Sequence, residues 1–217
     1  MVIGKMENGT LNSKFRKCAA AAAAALVLLS AGATVAFFTD QDEKLNTFTV
    51  GNIDIQLDEP EWDPENGKNI TPDKEVNKDP QITNMGANDA YVFMEVSIPR
   101  SSVSTADADG GINAAAVQDL FTFKANEGWT LMNKKSNTSS TTYYYAYTNA
   151  DNTMKALSPL GVTAPVFDSV RFINMVEGEL SSNNLSINVI ARGIQTDGLN
   201  TTDPEEVYAL VMGGASE

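Results

Sequence analysis

Short runs in which apolar residues take alternate positions dominate this chain, and that period of two is the mark of strands with one buried face. Tyr91 to Ile98 is the cleanest run. Val92, Met94, Val96 and Ile98 face one side, Glu95 and Ser97 the other, and Pro99 is expected to end it. Leu185 to Ala191 repeats the pattern, with Leu185, Ile187 and Val189 set against Ser186 and Asn188. Earlier, Phe48 and Val50 alternate, and Ile53, Ile55 and Leu57 resume one residue out of phase. The slip falls at Gly51-Asn52, where a β-bulge would re-aim the side chains. Gln81 to Asn84, Trp129 to Asn133, Thr141 to Thr148 and part of Val166 to Phe172 read as further strands.

Polar segments separate these runs. Asp58 to Pro80 is a loop broken by Pro60, Pro64, Gly67, Pro72 and Pro80. Ser101 to Gly111 reads as a mobile loop, Lys134 to Ser140 as a long polar connection, and Asp197-Gly198 as a turn. Two segments read as helix. Asn113 to Phe123 has the Ala114–Ala116 run with Val117, Leu120 and Phe121 at helical spacing, and Glu205 to Met212 would close the chain. The sum is an all-β antiparallel sandwich with a short helical insertion, in one domain over residues 37–217.

The N-terminus has the three parts of an export signal. Lys14, Arg16 and Lys17 form a basic flank, Ala19 to Leu29 an apolar run, and Ser30 to Ala36 a small-residue stretch. A membrane anchor needs about 20 apolar residues, and Ala19 to Phe38 reaches that length, but its first half is mostly alanine. Cleavage is expected between Ala36 and Phe37, which makes residues 1–36 a signal peptide and the mature chain secreted. Cys18 precedes the apolar run, so it is not a lipoprotein cysteine.

Charge and two absences narrow the function. Net charge is −13; the first 36 residues hold +3, which leaves −16 on the remainder. Such a surface repels phosphate backbones, so no nucleic-acid partner is expected. The chain has no histidine, and Cys18 is its only cysteine. That removes Ser-His-Asp and Cys-His catalysis and the HExxH zinc helix. No cofactor and no enzymatic activity are expected. With no disulfide, the fold rests on its hydrophobic core, for which 42% apolar residues suffice.

Five segments carry a resemblance. They are Thr34-Val35-Ala36-Phe37-Phe38-Thr39-Asp40; Asn46 to Ile55, with Phe48 and Gly51; Lys78-Asp79-Pro80-Gln81-Ile82-Thr83-Asn84-Met85-Gly86 with Asp89-Ala90-Tyr91-Val92; Ala164 to Val170; and Ile190 to Gln195. In this order they resemble the TasA/camelysin family of Gram-positive bacteria, secreted proteins released by a dedicated signal peptidase. The resemblance implies a jelly-roll sandwich that forms fibres of the extracellular biofilm matrix. In such fibres a segment freed by processing joins the next subunit as a strand, which satisfies an open sheet edge. A head-to-tail exchange that does not close makes a filament. Here the donor would be 37–50, with Phe37, Phe38, Phe48 and Val50 as its apolar groups. The partners implied are other copies of the chain, the signal peptidase and other matrix components. Some family members are described as metalloproteases, and this histidine-free chain departs from that.

Other constellations have plainer readings. Asp58, Glu59, Glu61, Asp63 and Glu65 crowd around Trp62 at a density that could bind Ca²⁺, but a solvated acidic loop is the simpler account. Asp107-Ala108-Asp109-Gly110 starts like a calcium loop without the downstream glutamate. Tyr143, Tyr144, Tyr145 and Tyr147 are ordinary strand aromatics. A monomeric surface protein that binds a matrix or host partner, and a hydrolase using carboxylates alone, remain as alternatives to the fibre subunit.

Overall fold

The computed structural model describes residues 53–68, 70–177, 180 and 185–214. Over these residues the chain is an antiparallel β-sandwich with one α-helix at its C-terminal end. One layer is built around β4 (Ala90–Ala106). The first half of β4 lies between β11 (Asn188–Gln195) and β8 (Ser140–Tyr147), with β7 (Trp129–Ser136) beyond β8. Its second half pairs with β5 (Ile112–Asp119) and β10 (Met175–Glu177). The opposite layer joins β1 (Ile55–Asp58) to β3 (Gln81–Asn84), and β2 (Glu75–Asn77) to β9 (Ser169–Phe172) and β6 (Phe121–Thr122). Between β2 and β3 the ladder continues, since Lys78 N–H donates to Asp168 O (3.1 Å) and Val166 N–H to Pro80 O (2.9 Å).

The alternation in β4 fills the space between the layers. Val92, Met94, Val96 and Ile98 are fully buried in one cluster with Ile82, Val166 and Phe167. The other face of β4 is also covered. Phe93 is fully buried beneath α1 (Pro204–Gly214), whose Val207 and Val211 pack with it, Ala146 and Met154. Tyr208 meets Phe93 edge-on at 5.2 Å between ring centroids. Glu95, which the alternation places on a polar face, is only 8% exposed. It accepts from Arg192 and from the Tyr208 hydroxyl (2.7 Å), the pairing a buried carboxylate needs.

Local chemistry starts the helix. Asp203 Oδ1 accepts from the N–H groups of Glu205 (3.0 Å) and Glu206 (3.1 Å), which satisfies two donors that have no partner within the helix. Pro204 fits the first helical position, and Glu205 and Glu206 favour the positive end of the helix dipole.

Several expectations are corrected. Pro99 does not end β4, which runs for 17 residues. Arg100 N–H donates to Ser139 O on the β8 side, whereas Pro99 O accepts from Leu120 N on the other. The donor that proline lacks therefore points into the gap where β11 has stopped at Ser97 and β5 has not begun. Ser101–Ala106 is strand, not a mobile loop; only the turn beyond it reverses the chain. There Asp107 Oδ1 accepts from Asp109 N–H (3.1 Å) and Gly111 N–H (2.7 Å).

The helical insertion at Asn113 to Phe123 is absent: the segment forms β5 and β6. Alanine favours helix in isolation, but that turn lays the segment along an unpaired edge of β4, and the ladder bonds decide. Val117, expected on the apolar helix face, is exposed, while Leu120 and Phe121 are buried where the chain crosses layers. The Lys134 to Ser140 connection shrinks to a tight turn in which Asn137 Oδ1 accepts from Ser139 and Ser140 N–H, both at 2.8 Å. The strand expected at Leu185 to Ala191 begins only at Asn188 and runs on to Gln195.

Two outcomes follow for stability. Asp203→Ala removes the helix cap and lowers the unfolding free energy by roughly 0.5–2 kcal/mol, read as a lower urea midpoint. Burial pushes the Tyr145 hydroxyl from 10.0 up to about 12, and burial raises Tyr143, Tyr144 and Tyr208 as well. The unfolded chain gives up these protons first, so their contribution is complete below pH 10 and is lost as pH rises toward 12. Chemical unfolding at stepped pH should show that decline, and the Tyr145→Phe variant should show less of it.

Candidate assembly site

Among the described residues β1 pairs on one side only, with β3. Ile53 and Ile55 turn inward against Gly193 of β11, where a Cβ would stand 3.4 Å from Ile55 Cδ1. The side chains of β1 thus lie against the backbone of β11 at this glycine. The expected donor segment, 37–50, precedes β1 in the chain and lies outside the described residues.

At the end of β3, and on its side away from this edge, lies a small apolar surface. Met85, Leu160 and Val162 are 45%, 74% and 51% exposed. Met85 N–H donates to Asp54 O (2.7 Å), Leu160 N–H donates to Asn84 O (2.7 Å), and Val162 bridges to Thr83. Asn84 sets this corner. Fully buried, its Nδ2 donates to Asn88 O (2.8 Å) and Leu157 O (2.7 Å), and its Oδ1 accepts from Gly86 N–H (2.9 Å). A buried amide so satisfied fixes a single turn, and that turn holds Met85 outward.

The far end of β1 is pinned by a buried charge pair. Lys78 Nζ donates to Glu59 Oε2 at 2.6 Å, and the two side chains are 5% and 12% exposed. The ammonium also lies 4.6 Å from the Trp62 ring centroid. Next to it Asp79 Oδ1 accepts from Glu61 N–H (2.9 Å). The acidic loop is thus clamped to the sheet at two consecutive residues, so the solvated-loop reading is incomplete. Neither Asn84 nor Lys78 carried a role in the sequence reading. Their only signal there was membership of the Lys78–Gly86 resemblance.

The remaining candidates are placed as follows. Ala36, Phe37, Phe38, Phe48 and Val50, the expected cleavage site and donor groups, lie outside the described residues. Tyr145 and Tyr147 are core residues, and Tyr144 approaches Tyr208 at 6.0 Å. Tyr143 donates to Asp119 Oδ2 (2.8 Å), and the other Asp119 oxygen accepts from Thr141 Oγ1 (2.5 Å) and lies 3.1 Å from Arg100 Nε.

Residues 10–129, more than half of the chain, match the family model described as camelysin metallo-endopeptidase. The chain belongs to the camelysin family. Three of the five segments that carry the resemblance fall inside the match, and 164–170 and 190–195 lie beyond it. No curated protein and no solved structure matches the chain.

The family description implies a metal, and the donor set here does not fit a protease centre. Such centres are built from histidine with carboxylate or thiolate, and this camelysin relative has no histidine. Among the described residues no three His, Cys, Asp or Glu side chains converge. Carboxylates of the acidic loop are engaged singly: Glu59 by Lys78, Asp79 by Glu61 N–H, and Asp63 by Glu65 N–H at 2.9 Å.

Lys78→Ala removes the cation that neutralises the buried Glu59 carboxylate and costs about 3–5 kcal/mol. Replacing both members, Lys78→Met with Glu59→Leu, recovers most of that loss. Urea unfolding of the single and double variants measures both.

Proposed function

We propose that this camelysin-family chain is a secreted structural protein of the extracellular matrix, and that copies join when residues 37–50 of one molecule pair with the open sheet edge of the next. The observation that supports this most is β1, a strand partnered on one side only among the described residues. An unpaired edge offers backbone donors and acceptors to an incoming strand, and apolar side chains on that strand add surface to bury. Phe37 and Phe38 would be the donor's apolar groups, each burial contributing roughly 1.5–3 kcal/mol. Under this reading removal of residues 1–36 is the switch, and the protein acts by assembly and not by catalysis. The clamp at Lys78 and the Asn84 corner hold the accepting edge in shape before a donor arrives.

The test compares a chain that begins at Phe37 with one that begins at Gly51. Electron microscopy should show filaments from the first and none from the second. Equal filament formation by both, or by neither, removes strand donation by 37–50.

A further inference from the structure

We infer that the outer edge of β5 is a second, lateral contact, at which two copies of this chain pair β5 to β5 in antiparallel fashion about a twofold axis. The inference does not rest on strand donation, since it uses a different edge at the other end of β4.

Edge strands in soluble proteins are ordinarily blunted by charge, proline or shortness. Other one-sided strands here follow that rule among the described residues. β7 carries Lys134 and Lys135, β1 has four residues and ends in Asp58, β2 and β10 have three residues each, and β6 has two residues. β5 departs from it. From Ile112 to Gln118 it reads Ile-Asn-Ala-Ala-Ala-Val-Gln, with no charge, proline or glycine, and Ile112 to Val117 are all exposed. Ile112 is 70% exposed.

Electrostatics select a second copy as the occupant. The chain carries −13, so two copies repel over most of their surfaces. A charge-free edge is where like meets like without that cost, and an antiparallel strand is complementary to itself under twofold symmetry. Two features set the register. Arg100 Nη2 already donates to Val117 O (3.0 Å), so at that position the pairing is made by side chains and not by the carbonyl. Ala114 and Ala115 together oppose Ser104, a bulge that bends β5, and a twofold axis at Ala115 lets both copies bend alike. That register sets Ile112 opposite Gln118 and Asn113 opposite Val117, with Asp119 facing Gly111 and no two carboxylates opposed. Alanine at the centre lets the strands approach closely.

The test uses cysteine cross-linking in the full chain with Cys18→Ser. Directly opposed residues of antiparallel strands have Cα atoms about 4.5–5.5 Å apart, within disulfide range. Ala115→Cys should therefore form a disulfide dimer under mild oxidation, at least about tenfold faster than Leu131→Cys on exposed β7, which meets its copy only by collision. Mixed Asn113→Cys and Val117→Cys chains should cross-link to each other, which reads the same register without altering its centre. Ile112→Lys places charge on both strands and should suppress both cross-links about tenfold. The inference is overturned if neither arrangement cross-links faster than Leu131→Cys, or if Ile112→Lys leaves both rates unchanged.

Discussion

Burial of β4 on both faces is the constraint on which the rest of the molecule depends. One face supplies Val92, Met94, Val96 and Ile98 to the space between the layers, and the other places Phe93 under the C-terminal helix. Its two edges serve four neighbours, β11 and β8 first, then β5 and β10. A strand so used tolerates proline only where no neighbour needs its N–H, and Pro99 sits at that one interval. The helix follows from the same demand. Phe93, Ala146 and Met154 would otherwise form an exposed apolar patch, and α1 is the element that removes it from water.

Cations are scarce in this chain, with 15 Lys and Arg against 28 Asp and Glu, and three of them are withdrawn from the surface. Lys78 neutralises Glu59, Arg192 neutralises Glu95, and Arg100 lies against Asp119. Each pair joins segments far apart in sequence: the acidic loop to β2–β3, β11 to β4, and β4 to β5. Inside the protein such pairs act as positioning devices, because breaking one leaves an uncompensated charge. Each pair also withdraws one carboxylate, so the surface keeps the whole acidic excess of the chain.

The candidate site was legible in part. The strands Gln81–Asn84 and Ile55–Asp58 were visible as apolar alternation, and the segment Lys78–Gly86 stood out through family resemblance. Nothing in the residues themselves marked Lys78 as buried, because a lysine beside acids usually means a solvated face. Asn84 was equally silent: an asparagine before Met-Gly reads as a turn residue, and only the approach of Leu157 from 73 positions away makes it a core group. That β1 pairs on one side only among the described residues depends on what lies beside it, which no local pattern encodes.

By itself the sequence determined an all-β sandwich, its principal strands, the short C-terminal helix and the camelysin kinship. Period-two alternation and a capped start such as Asp203-Pro204 are local, and survive whatever surrounds them. Tertiary structure alone decided that Asn113 to Phe123 is strand, that Pro99 lies within a strand, and that Glu95 belongs to the interior. In each case a distant partner supplies the deciding energy. The edge of β4 outbids the modest helix preference of three alanines, the gap between β11 and β5 spares a missing donor, and Arg192 with Tyr208 meets a carboxylate that the alternation had assigned to water.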